Sequence, residues 1–124
     1  MSTKTFHKYT SLILGILFLL FAILQYNDPD ALLWIIIYGS VSALSFYSFR
    51  GYYNLLVLII LGLLYLFGAV YYWPPEFEGI FIGSSDTSNI ELARESLGLM
   101  ICFFVTVYYY VLSNKTADNI QEKE

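Results

Sequence analysis

Charge is scarce in this 124-residue chain, where Asp, Glu, Lys and Arg together make up 13% against roughly 25% in soluble domains. So few charges cannot coat a water-facing surface, which excludes an ordinary soluble globular domain. Basic residues are scarcer still, six against ten acidic for a formal net charge of −4. A nucleic-acid partner is thereby excluded, because phosphate binding needs a basic face. There is one histidine and one cysteine. His7 lies far along the chain from the acidic residues and reads as a solvated residue beside the first apolar run, so neither a histidine metal site nor a Ser-His-Asp arrangement can be assembled. Cys102 has no partner for an internal disulfide and sits deep in an apolar run, where a lone cysteine is a small packing residue.

What the chain does have is apolar sequence, 58% of its residues. It falls into four stretches, approximately 9–26, 31–49, 52–73 and 92–112, each close to the ~20 residues a helix needs to cross about 30 Å of hydrocarbon. The expected fold is an all-α membrane protein of four transmembrane helices, one domain over 1–124, with a polar and flexible tail at 113–124. The first stretch follows Lys4 and Lys8 as a signal peptide would, but no small-residue cleavage site follows it, so it reads as a retained helix. Two of the connections are short, Asn27 to Asp30 and Arg50-Gly51, and short links force antiparallel neighbours into an up-down-up-down bundle. Lys4, Lys8, Arg50, Lys115 and Lys123 fall on one side and Arg94 alone on the other. The basic side is expected to be the cytoplasm, with both termini there. The location expected is a multi-pass integral membrane protein, in the cytoplasmic (inner) membrane if the host is a bacterium.

Aromatic residues cluster where helices meet the headgroups: Tyr26, Tyr71, Tyr72 and Trp73 at one end, and Phe46, Tyr47, Tyr52, Tyr53, Tyr108, Tyr109 and Tyr110 at the other. Such clusters read as an anchoring belt. Gly39 and Ala43, four apart with Ser42 and Ser45 beside them, form a small-residue stripe that predicts a close helix contact and a central place for the second helix. The only long connection begins at Pro74-Pro75, which end the third helix. It carries a short apolar run from Gly79 to Gly83, too short to span and expected to lie along the membrane surface or over the bundle mouth.

Two polar motifs remain. In Asn27-Asp28-Pro29-Asp30, Asp28 is expected to cap the second helix, Pro29 to take its first position, and Asp30 to place negative charge in its first turn. Trp34 falls one turn deeper on the face of Asp30, and Gln25 adds an amide expected to bond a neighbouring helix. In Glu91-Leu92-Ala93-Arg94-Glu95, Ser88 or Asn89 is placed to cap the fourth helix. Glu91, Arg94, Glu95 and Gly98 share one face, which the cost of charge at membrane depth should turn inward. Both motifs belong to one side of the membrane, where Arg94 is the one cation among Asp28, Asp30, Glu76, Glu78, Asp86, Glu91 and Glu95. An ion pair of Arg94 with Asp28 or Asp30 would latch the first turn to the fourth helix. Alternatively, Asp28, Asp30, Glu91 and Glu95, with Glu76, would surround a hard cation, although an arginine among them suits an anionic headgroup or partial neutralisation better.

At these residues the chain resembles the transmembrane protein 220 family of small four-helix membrane proteins. The resemblance rests on QYNDPDALLW, from Gln25 to Trp34, and ELARESLGL, from Glu91 to Leu99, in that order, and covers nearly the whole chain. It implies fold and membrane residence, and brings no reaction or ligand. The residues themselves point to a non-enzymatic accessory or scaffold protein with a polar latch and no cofactor. Its expected surroundings are membrane lipid, with a membrane protein or a second copy as the kind of protein partner. The alternative is binding or transport of a cation, lipid headgroup or small solute at the acidic mouth. A membrane enzyme is the remotest reading, since no nucleophile accompanies the acids.

Overall fold

The computed structural model describes residues 3–27, 29–75 and 87–123. These form four α-helices: α1 (Thr3–Leu24), continued by a 3-10 turn at Gln25–Asn27, α2 (Ala31–Phe49), α3 (Leu55–Tyr71) and α4 (Thr87–Lys123). Asp28, and the long connection at 76–86 with its Gly79–Gly83 run and its acids Glu76, Glu78 and Asp86, lie outside the described residues. The chain divides into two compact units, Met1–Asn54 and Leu55–Glu124, each built on one helix pair.

Lipid exposure follows directly from what the helices present. On α3 alone Leu56, Leu64, Phe67 and Val70 are each more than half exposed, a surface that water does not tolerate over such an area. Three runs have the length and apolarity of a membrane span, Lys4–Asn27, Ala31–Phe49 and Ile90–Asn114, and α3 is a shorter apolar helix. The protein is an integral membrane protein.

The ends of the helices have local causes. α2 stops at Gly51, which adopts φ 86°. That left-handed residue lets the Gly51 N–H reach the Ser48 carbonyl at 2.9 Å and the Tyr52 N–H reach the Tyr47 carbonyl at 2.9 Å, the paired bonds of a Schellman C-cap. The chain does not re-enter helix until Leu55, so the third span starts three residues later than the apolar run suggests. At its far end Trp73 precedes Pro74, and a residue before proline is disfavoured in helix. The Trp73 N–H accordingly bonds Val70 three residues back, at 3.3 Å. α3 is left with 17 residues, about 25 Å at 1.5 Å per residue. α4 has 37 residues, about 55 Å, nearly twice the hydrocarbon thickness. It runs on through 113–123, where composition suggests a flexible tail, because no Gly or Pro interrupts the sequence after Gly98.

In the first unit α1 and α2 are antiparallel: partners advance along α1 as they retreat along α2. Ser11 shares a hydroxyl hydrogen bond with Ser48 at 2.8 Å, the Ser42 hydroxyl donates to the Gly15 carbonyl at 2.7 Å, and Phe18 meets Tyr38 with ring centroids 6.1 Å apart. The seam of α2 is therefore Trp34, Val41, Ser42, Ser45 and Ser48, and the small residue opposite it is Gly15. A Cβ on Gly15 would come within 2.9 Å of the Phe46 ring, whereas one on Gly39 meets nothing within 4 Å among the described residues. Ala43 is exposed. Within the first unit the Gly39 and Ala43 stripe is thus not the contact with α1, because the serines beside it take the face that α1 covers.

The second unit repeats the arrangement with other residues. Leu58, Gly62, Tyr65 and Ala69 are the buried residues of α3, spaced three and four apart as a helix seam requires. Against the same seam α4 sets Ile90, Ala93, Ser96, Leu99, Cys102 and Thr106, all buried. Thr106 faces Gly62 and Leu99 faces Gly68, while the Ser96 hydroxyl donates to the Ala69 carbonyl at 2.6 Å. This pair too is antiparallel.

Candidate functional site

The first polar motif is held between the end of α1 and the start of α2. The 3-10 turn buries none of its residues, leaving Tyr26 and Asn27 exposed. Gln25 stays with its own helix, its amide nitrogen donating to the Phe21 carbonyl one turn back at 3.2 Å, and does not bridge to a neighbour through that bond. The N-cap of α2 is Asp30, with φ −102° and ψ 36° and no side-chain cap hydrogen bond. Asp30 therefore stands before the first turn, not in it, and Pro29 precedes the cap instead of opening the helix. The reason is backbone geometry: with Asp30 outside the helical region, Ala31 becomes the first helical residue. The capping role expected of Asp28 falls outside the described residues.

Below that turn the packing is aromatic. Trp34 is 2% exposed and its backbone N–H bonds the Asp30 carbonyl at 3.3 Å. Its ring lies 6.0 Å from Tyr38, which in turn lies 5.9 Å edge-on from Phe21, and Phe21 packs on Phe18 at 5.4 Å. Such edge and tilted contacts are the favoured aromatic geometry. Tyr38 is the residue that sequence reasoning missed here, although its place four residues after Trp34 signals the same face.

The second motif opens α4. The helix begins at Thr87, so Ser88 and Asn89 lie within its first turn and neither takes the capping position ahead of it. Glu91 and Arg94 are exposed, and Glu95 and Gly98 are half-buried. The face α4 gives to α3 is the one carrying Ile90, Ala93 and Ser96, so the charged face is not the one directed at α3. Small and apolar residues permit the close approach that the Ser96 to Ala69 bond records, and charges do not. Asp30 and Trp34 thus belong to the first unit, and Glu91, Arg94 and Glu95 to the second.

At the opposite end of the first unit, Ser48 donates to the Tyr53 hydroxyl at 2.9 Å while sharing its bond with Ser11. Three hydroxyls thus run from the seam to the α2–α3 link. His7 is half-buried and edge-on to Phe6 at 5.5 Å, less solvated than its place in the sequence suggests. Tyr109, expected in the aromatic belt, is buried at 1% exposure and belongs to the seam of the second unit. Tyr26, Tyr47, Tyr52, Tyr71 and Trp73 are exposed, as an interface belt requires.

Among the described residues no group of three or more His, Cys, Asp or Glu side chains converges as metal ligands would. The family model described as "Transmembrane family 220, helix" matches residues 17–111, a stretch that contains both polar motifs. No curated protein and no solved structure matches the chain.

Proposed function

The chain belongs to transmembrane family 220, and from that premise we propose that it works as a non-enzymatic accessory or scaffold protein whose two polar motifs latch its helix pairs together. In this reading the four helices run up-down-up-down with both termini cytoplasmic, in the cytoplasmic membrane where the host is a bacterium. The partner it serves is a membrane protein or a second copy of itself.

The observation that supports the latch best is the fixing of the first motif from below. Trp34 is buried beneath Asp30 and bonded to its carbonyl, so the turn that presents Asp30 is held by packing and is not a free loop. Arg94 and Glu95 stand on the opening turns of α4, whose Ile90 and Ala93 are buried. An ion pair between Asp30 and Arg94 would exclude water from the bundle mouth and fix which helices are neighbours, a role in specificity more than in raw stability.

The test is a double-mutant cycle in detergent or nanodiscs. Asp30→Ala and Arg94→Ala are each expected to destabilise, and the double variant to cost less than their sum by about 0.5 to 1 kcal/mol, the coupling of a partly exposed pair. Additive effects would sink the latch. Unchanged stability together with loss of a co-purifying ion or lipid would move the assignment to the binding role at the same mouth.

A further inference from the structure

The first unit carries a groove at the end where α1 begins and α2 finishes, remote from Asp30. Its volume is about 530 Å³, and it is lined by Leu12, Ala43, Phe46, Tyr47, Phe49 and Arg50. One wall is fixed: the Phe46 ring rests on Gly15, so closely that a Cβ there would lie 2.9 Å from it. Ala43 is exposed within the groove, and a Cβ on Gly39, one turn further along the same face, would meet nothing within 4 Å among the described residues. From Arg50 back to Ala43 the lining covers about 10 Å of α2 at 1.5 Å per residue, about a third of the ~30 Å hydrocarbon core, and the face continues toward Gly39.

The charge at the groove is as particular as its length. Arg50 lines one end, and the Lys8 ammonium lies 5.1 Å from the centroid of the Phe49 ring, so two cations flank a single aromatic wall at the headgroup end. Lys8 is held there by attraction to the ring face, and the arginine fork is suited to two oxygens of one phosphate. A groove with an apolar and aromatic lining, one cation at its end and a second beside its Phe49 wall, matches a lipid whose headgroup is anionic.

We propose that this groove is a binding site for an anionic phospholipid, with one acyl chain along Ala43 and Gly39 and the phosphate between Arg50 and Lys8. The site is independent of the Asp30–Arg94 latch and lies at the other end of the first unit. Its occupant orders the membrane around the α1–α2 pair and ties that end to the more anionic leaflet, reinforcing the orientation that the basic residues set.

Native mass spectrometry of the full chain in detergent, titrated with phosphatidylglycerol or phosphatidylcholine of identical acyl chains, tests the proposal. Phosphatidylglycerol is expected to be retained about thirtyfold more tightly, the effect of two cations near a membrane surface, and Lys8→Gln with Arg50→Gln to erase that difference. Lys115→Gln, a charge change in the other unit, is expected to leave it intact. Ala43→Trp, checked for folding by helix content, is expected to reduce retention of both lipids, and Ala43→Leu serves if the tryptophan variant does not fold. Equal retention of the two lipids, or a preference that survives the double variant, would overturn the site. Wild-type retention in the Ala43 variant would also overturn it, by leaving only charge attraction at the surface.

Discussion

Gly15 and Gly39 are the same residue type in neighbouring helices, yet their surroundings reverse what spacing implies. Gly39 lies in the stripe that the sequence marks as a helix contact, while the contact is made by Gly15 beneath Phe46 and opposite Ser42. The misreading has a physical origin. α2 is apolar nearly all round, so no period distinguishes its buried face, and a small-residue stripe is compatible with either a packed or a lipid-facing side. The signal that decides is hydroxyl content, because in hydrocarbon a serine gains by turning inward to a partner. Ser42 and Ser48 do so, and Ser45, buried beside them, donates to the Val41 carbonyl of its own helix. The expected outcome is that Gly15→Leu destabilises the detergent-solubilised protein by about 1 to 3 kcal/mol or more through overpacking. Gly39→Leu should leave it within about 0.5 kcal/mol, the usual range for a substitution that meets no neighbour. Thermal denaturation followed by circular dichroism measures both, and equal losses would place Gly39 in a contact after all.

At the scale of elements, each unit is tied by one serine that donates to a backbone carbonyl of the facing helix beside a small residue: Ser42 to Gly15, and Ser96 to Ala69. Bonds of this kind in membranes average about 0.6 kcal/mol and reach about 1.7. Ser42→Ala and Ser96→Ala are each expected to cost within that range. Thr106→Val is expected to be neutral, because its hydroxyl bonds the Cys102 carbonyl of its own helix and such back-bonding does not support the helix. Denaturant titration of the three variants measures this, and a loss at Thr106 matching those at the serines would mean that hydroxyls stabilise here without crossing between helices. Helix number and the bounds of α2 were legible from apolar length alone. The shortening of α3 was half legible: its far end in Pro74-Pro75, its near end not, since a φ of 86° at Gly51 and the Schellman bonds it permits leave no mark on hydropathy. The polar motifs were legible as motifs. Their detailed geometry was not, because a two-residue shift in where a helix begins moves Asp30 from the first turn to the cap and Ser88 from the cap into the helix.

At the scale of the whole molecule, the distribution of basic residues bears on which way the chain is threaded. Lys8 packs on Phe49 beside Arg50, so the start of α1 and the end of α2 form one basic end of the first unit. The antiparallel pairing of α3 with α4 leaves Arg94 at the α4 start and Lys115 towards its other end. Because Lys and Arg near the ends of spans are retained on the cytoplasmic side, the basic end of the first unit is expected inside. With four spans the two termini then share that side. Single cysteines placed at Ser2 and at Ser85, in a Cys102→Ser background, test this with a membrane-impermeant maleimide applied to intact cells and to inverted vesicles. The Ser2 variant is expected to label only in inverted vesicles and the Ser85 variant only in intact cells. Labelling of both from one side would mean that a helix does not cross, and α3, at about 25 Å against ~30 Å of hydrocarbon, would be the first to suspect. A four-residue Leu insertion within α3, adding about 6 Å by the same rise, should then restore labelling from opposite sides if length is the cause.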